Sequence, residues 1–284
     1  MESGITKQFN DFVEMERGRR SLMDYQAIIV EKIGRIAVIT FNRPEALNAV
    51  SSRLWLETGT ALKEFNEDPD LWVAIITGAG DRAFSAGADL KEIGSGGFST
   101  TEEMQKWGFA GIVRHHISKP VIAAVNGFAL GGGTEIALAC DLIVASERAS
   151  FGLPEVKRGL IAGAGGLLRL PRQIPLKVAM HTILTGKPIT AEEAKQWGLV
   201  NEVVPHEQVL NAAIALAEEI IDNAPLAVKA SKEIVYRGLD TTVSFPPEAW
   251  SINQEYAGKV FASQDAKEGP RAFAEKRKPN WTGK

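Results

Sequence analysis

Three short segments of the sequence are apolar along almost their whole length, and they limit the possible folds more than any other feature. They are residues 72–77, 120–125 and 141–146. A strand with one solvated face alternates apolar and polar residues, so continuous apolar strands indicate a sheet that is covered on both faces. Residues 52–66 place apolar side chains at helical spacing between the strands. The alternation of strands and helices predicts an α/β fold.

Other segments extend this pattern toward both ends of the chain. Residues 27–31 and 35–41 are rich in β-branched side chains and predict a hairpin or two adjacent strands. Strand signals stop after about residue 206. Helices are predicted at residues 101–117, 134–140, 207–222, 224–237 and 246–278. We therefore expect a flexible N-terminal arm, an α/β core and an all-helical C-terminal segment, at residues 1–22, 23–205 and 206–284.

The composition argues against several classes of protein. The 284 residues carry 32 Lys and Arg against 35 Asp and Glu, a net charge of −3, whereas dedicated binders of nucleic acid or anionic membranes are usually basic. One cysteine excludes an internal disulfide framework and a cysteine-based zinc cluster. No apolar run approaches the roughly 18 residues of a membrane span. We expect a cytoplasmic protein with no metal, nucleic-acid or membrane partner.

Three consecutive glycines, Gly131 to Gly133, immediately precede a predicted helix. The first N–H groups of a helix lack internal partners, and the helix dipole adds positive potential there, so such a turn can hold an anion. The anion could be a developing oxyanion or a phosphate. Phosphate is less favoured, because neither a G-x-G-x-x-G nor a G-x-x-x-x-G-K-[ST] pattern occurs. A tight strand-to-helix turn with no ligand remains the alternative.

Two glutamates follow turns of this kind. Glu135 falls in the first turn of the predicted helix, and Glu155 follows Leu153 and Pro154. Each alone is explained by an acidic side chain at a helix N-terminus. Together they could share an apolar pocket, where burial and mutual repulsion would raise the pKa of one carboxyl and leave an acid and a base side by side. A third segment, residues 82–92, has small residues around Gly87 that permit close backbone approach to a ligand, or simply form a packed turn.

Taken in order, these segments and their neighbours resemble the crotonase (enoyl-CoA hydratase/isomerase) superfamily over some nine tenths of the chain. The fold that this resemblance implies is a spiral of ββα turns, with a C-terminal helical segment that forms trimers, often stacked into hexamers. Three stretches further resemble the carnitinyl-CoA (crotonobetainyl-CoA) hydratase branch, namely residues 151–155, 168–171 and 265–273. The matching superfamily motifs are residues 42–49, 84–91, 120–127, 131–135, 151–155 and 272–277.

The resemblance assigns roles to individual positions. The N–H groups of Ala88 and Gly132 would form the oxyanion hole for a thioester carbonyl. Glu135 and Glu155 would be the two catalytic glutamates, and the backbone of Gly163 would help to place the attacking water. The resemblance also implies a coenzyme A site, formed by Ala46, Asp89, Leu90 and Lys91 together with Phe273 and Lys276, the last two often from a neighbouring subunit.

The retained glutamate pair favours hydration of a 2-enoyl-CoA over double-bond migration. No cofactor is implied, because coenzyme A is part of the substrate. The alternatives are an enoyl-CoA isomerase or another acyl-CoA enzyme of the fold, an RNA-binding or scaffold member, and a Rossmann dehydrogenase, which the missing glycine fingerprint disfavours. A quaternary ammonium acyl group would favour an aromatic or acidic pocket. Trp107 and Phe109 lie in the region that usually forms the acyl pocket in this superfamily, or they belong to the core.

Overall fold

In the computed structural model of the chain, residues 25–239 and 248–284 are described. The predicted arm, residues 1–22, lies outside these two ranges. Within them, no helix has both the length and the apolar character that crossing a lipid bilayer would require.

The larger of two sheets contains the three apolar segments as adjacent parallel strands. Its strands are β1 (Ile28–Ile33), β2 (Ile36–Phe41), β3 (Val73–Gly78), β5 (Val121–Val125), β7 (Leu142–Ser146) and β10 (Glu202–Val204). Their order is β1-β2-β3-β5-β7-β10. Within this sheet β1 and β2 are the only antiparallel pair, which confirms the hairpin alternative. In the register of the central strands, Ile75 lies opposite Ile122, and Ile122 lies opposite Leu142.

A second, smaller sheet was not expected from the sequence. Its strands are β4 (Ala83–Ser85), β6 (Phe128–Leu130), β8 (Ser150–Gly152) and β9 (Ile189–Thr190), in that order. The chain passes from β3 to β4, from β5 to β6 and from β7 to β8, so three successive turns of the chain each add one strand to both sheets. Asn126 ties two of these turns together, since its Nδ2 donates to the carbonyl oxygens of Gly78 at 2.9 Å and Gly80 at 2.8 Å.

Helices cover both faces of the larger sheet. Val73 and Ile75 pack toward the helix Val209–Ile221, whereas the alternate residues Ala74 and Ile76 face the main core between the sheets. The buried strands are therefore covered on both sides, as their composition predicts. The helices are α1 (Ser52–Glu67), α2 (Leu90–Gly94), α3 (Glu102–Trp107), α4 (Gly132–Ala139), α5 (Gly166–Gln173), α6 (Leu176–Thr185), α7 (Ala191–Gln196), α8 (Val209–Ile221), α9 (Pro225–Leu239), α10 (Glu248–Phe261) and α11 (Gln264–Ala274).

The prediction of one helix over residues 101–117, with His115 and His116 near its end, is wrong beyond Trp107. Gly108 has φ 73° and Ala110 has φ 55°, left-handed values that an α-helix does not accommodate. A short 3-10 turn, Phe109–Gly111, follows the break, and both histidines lie after it. His115 instead stacks on the indole of Trp107 with ring centroids 5.2 Å apart.

After Pro205 the described residues contain only helices and loops. The C-terminal stretch folds back on this helical segment: the backbone N–H of Gln264 donates to the carbonyl oxygen of Lys284 at 2.6 Å. The indole N–H of Trp281 donates to the carbonyl oxygen of Asp222 at 2.9 Å. Because this segment packs mainly on itself and on the outer face of the sheet, several large apolar side chains stay exposed, among them Phe261 and Phe273.

Candidate active site

A cleft of about 850 Å³ lies at the carboxyl ends of three parallel strands of the smaller sheet. The segments that leave β4, β6 and β8 supply Ala88, Gly132 and Glu155 to its wall. Parallel strands place their carboxyl ends at one edge of a sheet, so three segments far apart in sequence meet here. The strands β4, β6 and β8, which the sequence did not predict, therefore bring the predicted site residues together.

The glycines of this region are required by close backbone contact. A methyl group on Gly87 would lie 2.8 Å from the amide nitrogen of Gly132, and one on Gly133 would lie 2.0 Å from the carbonyl oxygen of Ser85. Gly87 also has φ 88°, which disfavours any larger residue. The segment after β4 and the start of α4 therefore press directly against each other.

Two backbone N–H groups of these touching segments are free to donate hydrogen bonds to a ligand. In the described part of the chain, the N–H of Ala88 and that of Gly132 have no hydrogen-bond acceptor, although the carbonyl of Gly87 and the N–H of Asp89 are both paired with Val50. Gly132 is the first residue of α4, where the helix dipole adds positive potential. Both residues line the cleft, so the pair is suited to holding an oxyanion.

Glu135 projects from the first turn of α4 and is only 3% exposed. Burial raises the pKa of its carboxyl, and the nearby carboxylate of Glu155 acts in the same direction. The backbone N–H of Gly166 opposes this rise by donating to Oε1 at 2.8 Å. Glu135 is thus a buried acid with one fixed hydrogen bond at the cleft.

Glu155 reaches the same cleft from the 3-10 turn Pro154–Arg158 that follows β8. Its Oε1 would lie 2.9 Å from a methyl group on Gly131, so the carboxylate sits beside the glycine turn. Its Oε2 is buried and has no hydrogen-bond partner among the described residues. Burial raises the pKa of Glu155, while the nearby Arg158 acts to lower it. Both glutamates are therefore poised to hold or release a proton near the same point.

Thr134 was missed by the sequence analysis, although it lies inside a quoted motif. Its hydroxyl accepts the backbone N–H of Gly152 at 2.9 Å and lies 2.6 Å from the carbonyl oxygen of Ala129. The N–H of Gly131 also donates to the carbonyl oxygen of Gly152 at 2.8 Å. These bonds fix the glycine turn against the strand that leads to Glu155. The sequence feature that could have identified Thr134 is its position directly before the candidate acid Glu135.

The candidate coenzyme A residues Ala46, Asp89, Leu90 and Lys91 line the outer part of the cleft wall. Asp89 caps α2 by accepting the N–H of Lys91 at 3.0 Å, and it pairs with Arg43 at 3.0 Å. Burial alone would raise the pKa of Asp89, but these partners hold it below its ordinary value. Arg43 was not among the predicted site residues, although its position in the first family motif, residues 42–49, is a signal.

The structure does not bring every candidate to the cleft. Gly163 does line it, in the loop before α5. Phe273, on α11, is 86% exposed and Lys276 is exposed, and neither residue lines the cleft of its own chain. Their contact with coenzyme A bound to a neighbouring subunit stays a prediction.

Aromatic side chains form one part of the cleft wall. Phe98 and Phe109 both line it, and Trp55 packs behind them with ring centroids 5.6 Å and 5.4 Å away. The edge of Phe109 would lie 2.4 Å from a methyl group on Gly132, so this ring abuts the glycine turn. Trp107 is a core residue instead, since it is buried against Gly59 of α1.

Comparison with known proteins identifies the family. The family model described as enoyl-CoA hydratase/isomerase matches residues 31–284. The chain belongs to this family. The enoyl-CoA hydratase/isomerase chain shares its fold with solved structures of the family. A crystal structure of enoyl-CoA hydratase from Mycobacterium tuberculosis H37Rv has 46% identity and a TM-score of 0.86, covering 91% of this chain and 99% of that one.

Several relatives carry a more specific name, and two of them serve as examples. A protein named carnitinyl-CoA dehydratase from Salmonella arizonae is 44% identical over 263 residues, covering 91% of this chain and 99% of the relative. A crystal structure of carnitinyl-CoA hydratase from Mycobacterium avium is 53% identical with a TM-score of 0.73, covering 92% and 100%. The predicted crotonase-type α/β fold and the predicted resemblance are confirmed, and with them a hydro-lyase of the enoyl-CoA hydratase type.

Proposed function

We propose that this enzyme adds water reversibly across the C2–C3 double bond of a 2-enoyl-CoA thioester, with crotonobetainyl-CoA and carnitinyl-CoA as its preferred pair. The observation that carries the mechanism is the meeting of two glutamates of raised pKa with two unpartnered backbone N–H groups at one cleft. The names of the relatives support the choice of acyl group.

In this proposal the N–H groups of Ala88 and Gly132 hold the thioester carbonyl oxygen. That oxygen gains negative charge as water attacks C3, so donors fixed in place stabilise the transition state more than the substrate. Loss of one such donor typically costs about 2.7–4 kcal/mol of transition-state stabilisation. The close packing of Gly87 against Gly132 supports a hole whose donors are held rigidly.

Glu135 and Glu155 divide the proton transfers. One carboxylate takes a proton from the attacking water as its hydroxyl bonds to C3, and the other carboxyl delivers a proton to C2. Dehydration runs the same steps in reverse, so the hydroxyl leaves C3 as water and C2 loses a proton. Burial of both groups supports the coexistence of one protonated and one ionised carboxyl near neutral pH.

No resident cofactor enters the proposed reaction, because coenzyme A arrives and leaves as part of the thioester. Arg43, Asp89 and Lys91 support a coenzyme A site at the outer cleft wall. We further propose a homotrimer or homohexamer in which Phe273 and Lys276 reach the coenzyme A of a neighbouring subunit. A cytoplasmic location is part of the same proposal, and a single free cysteine is consistent with a reducing compartment.

The test is the loss of enoyl-thioester absorbance with crotonyl-CoA and with crotonobetainyl-CoA. We expect wild type to hydrate both and to prefer crotonobetainyl-CoA. Glu135→Gln and Glu155→Gln keep size and shape but cannot transfer protons, so each should lower kcat by at least about 100-fold.

Glu147→Gln is the matched control, because Glu147 is exposed in a turn remote from the cleft lining. It should retain wild-type kcat. Hydration that survives both active-site substitutions would overturn the two-glutamate mechanism. A wild-type enzyme that hydrates neither substrate but isomerises a 3-enoyl-CoA would favour the isomerase alternative.

A further inference from the structure

Two phenylalanine rings form a corner in the cleft wall. The planes of Phe98 and Phe109 are inclined by 71°, with centroids 6.2 Å apart, and both rings line the cleft. A group seated at this corner of the cleft wall can contact both rings. Trp55 supports the corner from behind and is itself fixed, since its indole N–H donates to the carbonyl oxygen of Met104 at 3.2 Å.

We propose that this corner binds the trimethylammonium head group of crotonobetainyl-CoA and thereby selects a cationic acyl group. This inference rests on the proposed function and adds the residues that determine its specificity. The face of an aromatic ring attracts a cation within about 6 Å of its centroid, and quaternary ammonium groups are often recognised this way. The rings also suit the methyl groups, which need apolar contact.

The position of the corner matches the length of the substrate. If the carbonyl oxygen lies at the N–H of Gly132, the ammonium nitrogen is four bonds from the carbonyl carbon, which is about 5 Å in an extended zigzag chain of bonds about 1.5 Å long. Phe109 abuts Gly132 directly. A head group at this distance can therefore reach the ring when the reacting carbons lie between the glycine turn and the glutamates.

Charge alone would not select a cation here. The charged lining comprises four acids, Glu45, Asp89, Glu135 and Glu155, and three bases, Arg43, Lys91 and Arg158. The mechanism keeps one glutamate protonated, which leaves three charges of each sign. Arg43 is moreover already paired with Asp89. Since the charges of the whole lining balance, this inference assigns the discrimination between a cationic and a neutral head group to the two aromatic rings.

The experiment compares two substrates that differ only in charge. One is crotonobetainyl-CoA, and the other is its carbon isostere 5,5-dimethyl-2-hexenoyl-CoA, in which a tert-butyl group replaces the trimethylammonium group. The measured quantity is the ratio of kcat/KM for the cationic substrate to kcat/KM for the neutral one. This ratio cancels effects on folding and on the shared chemistry.

Phe109→Leu and Phe98→Leu keep apolar contact but remove a ring face. We expect each to lower the ratio by roughly 5- to 30-fold, which corresponds to roughly 1–2 kcal/mol for a desolvated cation–π contact. Phe98→Tyr retains the ring and should keep the ratio. Phe128→Leu is the matched control, because Phe128 is a half-exposed ring on β6 outside the cleft lining.

The outcomes separate this inference from the proposed function. A ratio that falls in both leucine variants and holds in Phe98→Tyr and Phe128→Leu supports the ammonium site. Variants that lose both substrates in equal proportion would show that the rings only pack against the acyl chain, which overturns the inference while hydration stands. A wild-type enzyme that hydrates the neutral isostere but not crotonobetainyl-CoA would overturn both the inference and the proposed acyl group.

Discussion

The backbone N–H of Gly166 points at Oε1 of Glu135 across 2.8 Å. Gly166 is the first residue of α5, and Glu135 lies in the first turn of α4, so the carboxylate lies at the N-termini of two helices. Their dipoles favour the ionised carboxylate, whereas burial favours the neutral acid. This opposition sets the proton affinity of a group that has little contact with water.

Gly166→Ala should disturb this arrangement directly. A methyl group there would lie 3.0 Å from Cγ of Glu135 and 3.0 Å from both methyl groups of Leu153. Overpacking of this kind typically costs about 1–3 kcal/mol of folding free energy. We expect urea denaturation to show that loss, and kcat to fall by about tenfold or more as the carboxylate moves.

The matched control is Gly258→Ala in α10, where a methyl group meets no atom within 4 Å. Alanine is the better helix former by up to about 1 kcal/mol, so this variant should be as stable as wild type or more stable, with unchanged kcat. If Gly166→Ala and Gly258→Ala had equal unfolding free energies and equal kcat values, the tight contact between Gly166 and Glu135 would be contradicted.

Arg169 should tune the proton affinity of Glu135. Its guanidinium donates to the carbonyl oxygen of Val113 at 2.6 Å and packs against Gly165, next to the donor Gly166. Its positive charge lowers the pKa of Glu135. Arg169→Met should therefore raise that pKa further and move the limb of the kcat–pH profile that reports Glu135 to higher pH.

The identity of the limb that moves also assigns the role of Glu135. If the acidic limb moves, Glu135 is the base; if the alkaline limb moves, it is the acid. Arg172→Met on the same helix is the control, since Arg172 is exposed and donates to the carbonyl oxygen of Leu168 rather than approaching the glutamates. Profiles of the two variants that superimpose would rule out this tuning.

Asp89 is expected to stabilise the fold through its charge and through its cap, and two substitutions separate these contributions. Asp89→Asn keeps a good N-cap but loses the charge paired with Arg43, at a cost of about 1 kcal/mol. Asp89→Ala also loses the cap, which costs about 1 kcal/mol more. In urea denaturation at pH 7, the unfolding free energy should therefore be highest for wild type, lower for Asp89→Asn and lowest for Asp89→Ala.

The pH dependence gives the sign of the charge effect. Because the pKa of Asp89 is lower in the folded protein, its stabilisation is present above the unfolded pKa of about 4 and is lost as the pH falls through the folded pKa. The difference in unfolding free energy between wild type and Asp89→Asn should thus be constant from pH 7 to about pH 5 and narrow as the pH falls below about 4. If the difference in unfolding free energy stayed constant as the pH fell below about 4, the ion pair with Arg43 would not be its cause.

The larger sheet could be predicted from the sequence, whereas the smaller sheet could not. The strands β3, β5 and β7 are apolar over five or six residues, so their composition alone indicates burial on two faces. The strands β4, β6 and β8 have three residues each, which is too short for any periodicity to show. Their pairing depends on the spiral course of the whole chain.

The candidate site likewise contains residues that the sequence predicts and residues that only the tertiary structure reveals. Glu135 and Glu155 are recognisable because each follows a turn signal, but their meeting at one cleft depends on the smaller sheet. Phe98 carried no signal, because it belongs to a loop and meets Phe109 only through tertiary packing. A continuous helix was predicted over residues 101–117, because isolated glycines such as Gly108 and Gly111 are tolerated within helices. The prediction is wrong beyond Trp107, because the chain takes positive φ values there.

Lys276 occupies a position that favours glycine, and this conflict supports a last prediction. It follows the end of α11 with φ 52°, the left-handed conformation that costs a residue with a side chain roughly 1–2 kcal/mol. Lys276→Gly should therefore stabilise the protein by roughly 1 kcal/mol. If the ammonium group contacts a phosphate of coenzyme A in a neighbouring subunit, the same substitution should raise KM by about tenfold, because such charged contacts are worth about 1.5–3 kcal/mol.

A pantetheine thioester, which lacks the nucleotide, separates these effects. Lys276→Gly and Lys276→Ala should raise KM for the coenzyme A thioester but leave KM for the pantetheine thioester unchanged, and only the glycine variant should gain stability. Lys195→Ala, an exposed lysine on α7, should change neither KM. A glycine variant that is more stable and binds the coenzyme A thioester as tightly as wild type would show that this lysine has no part in nucleotide binding.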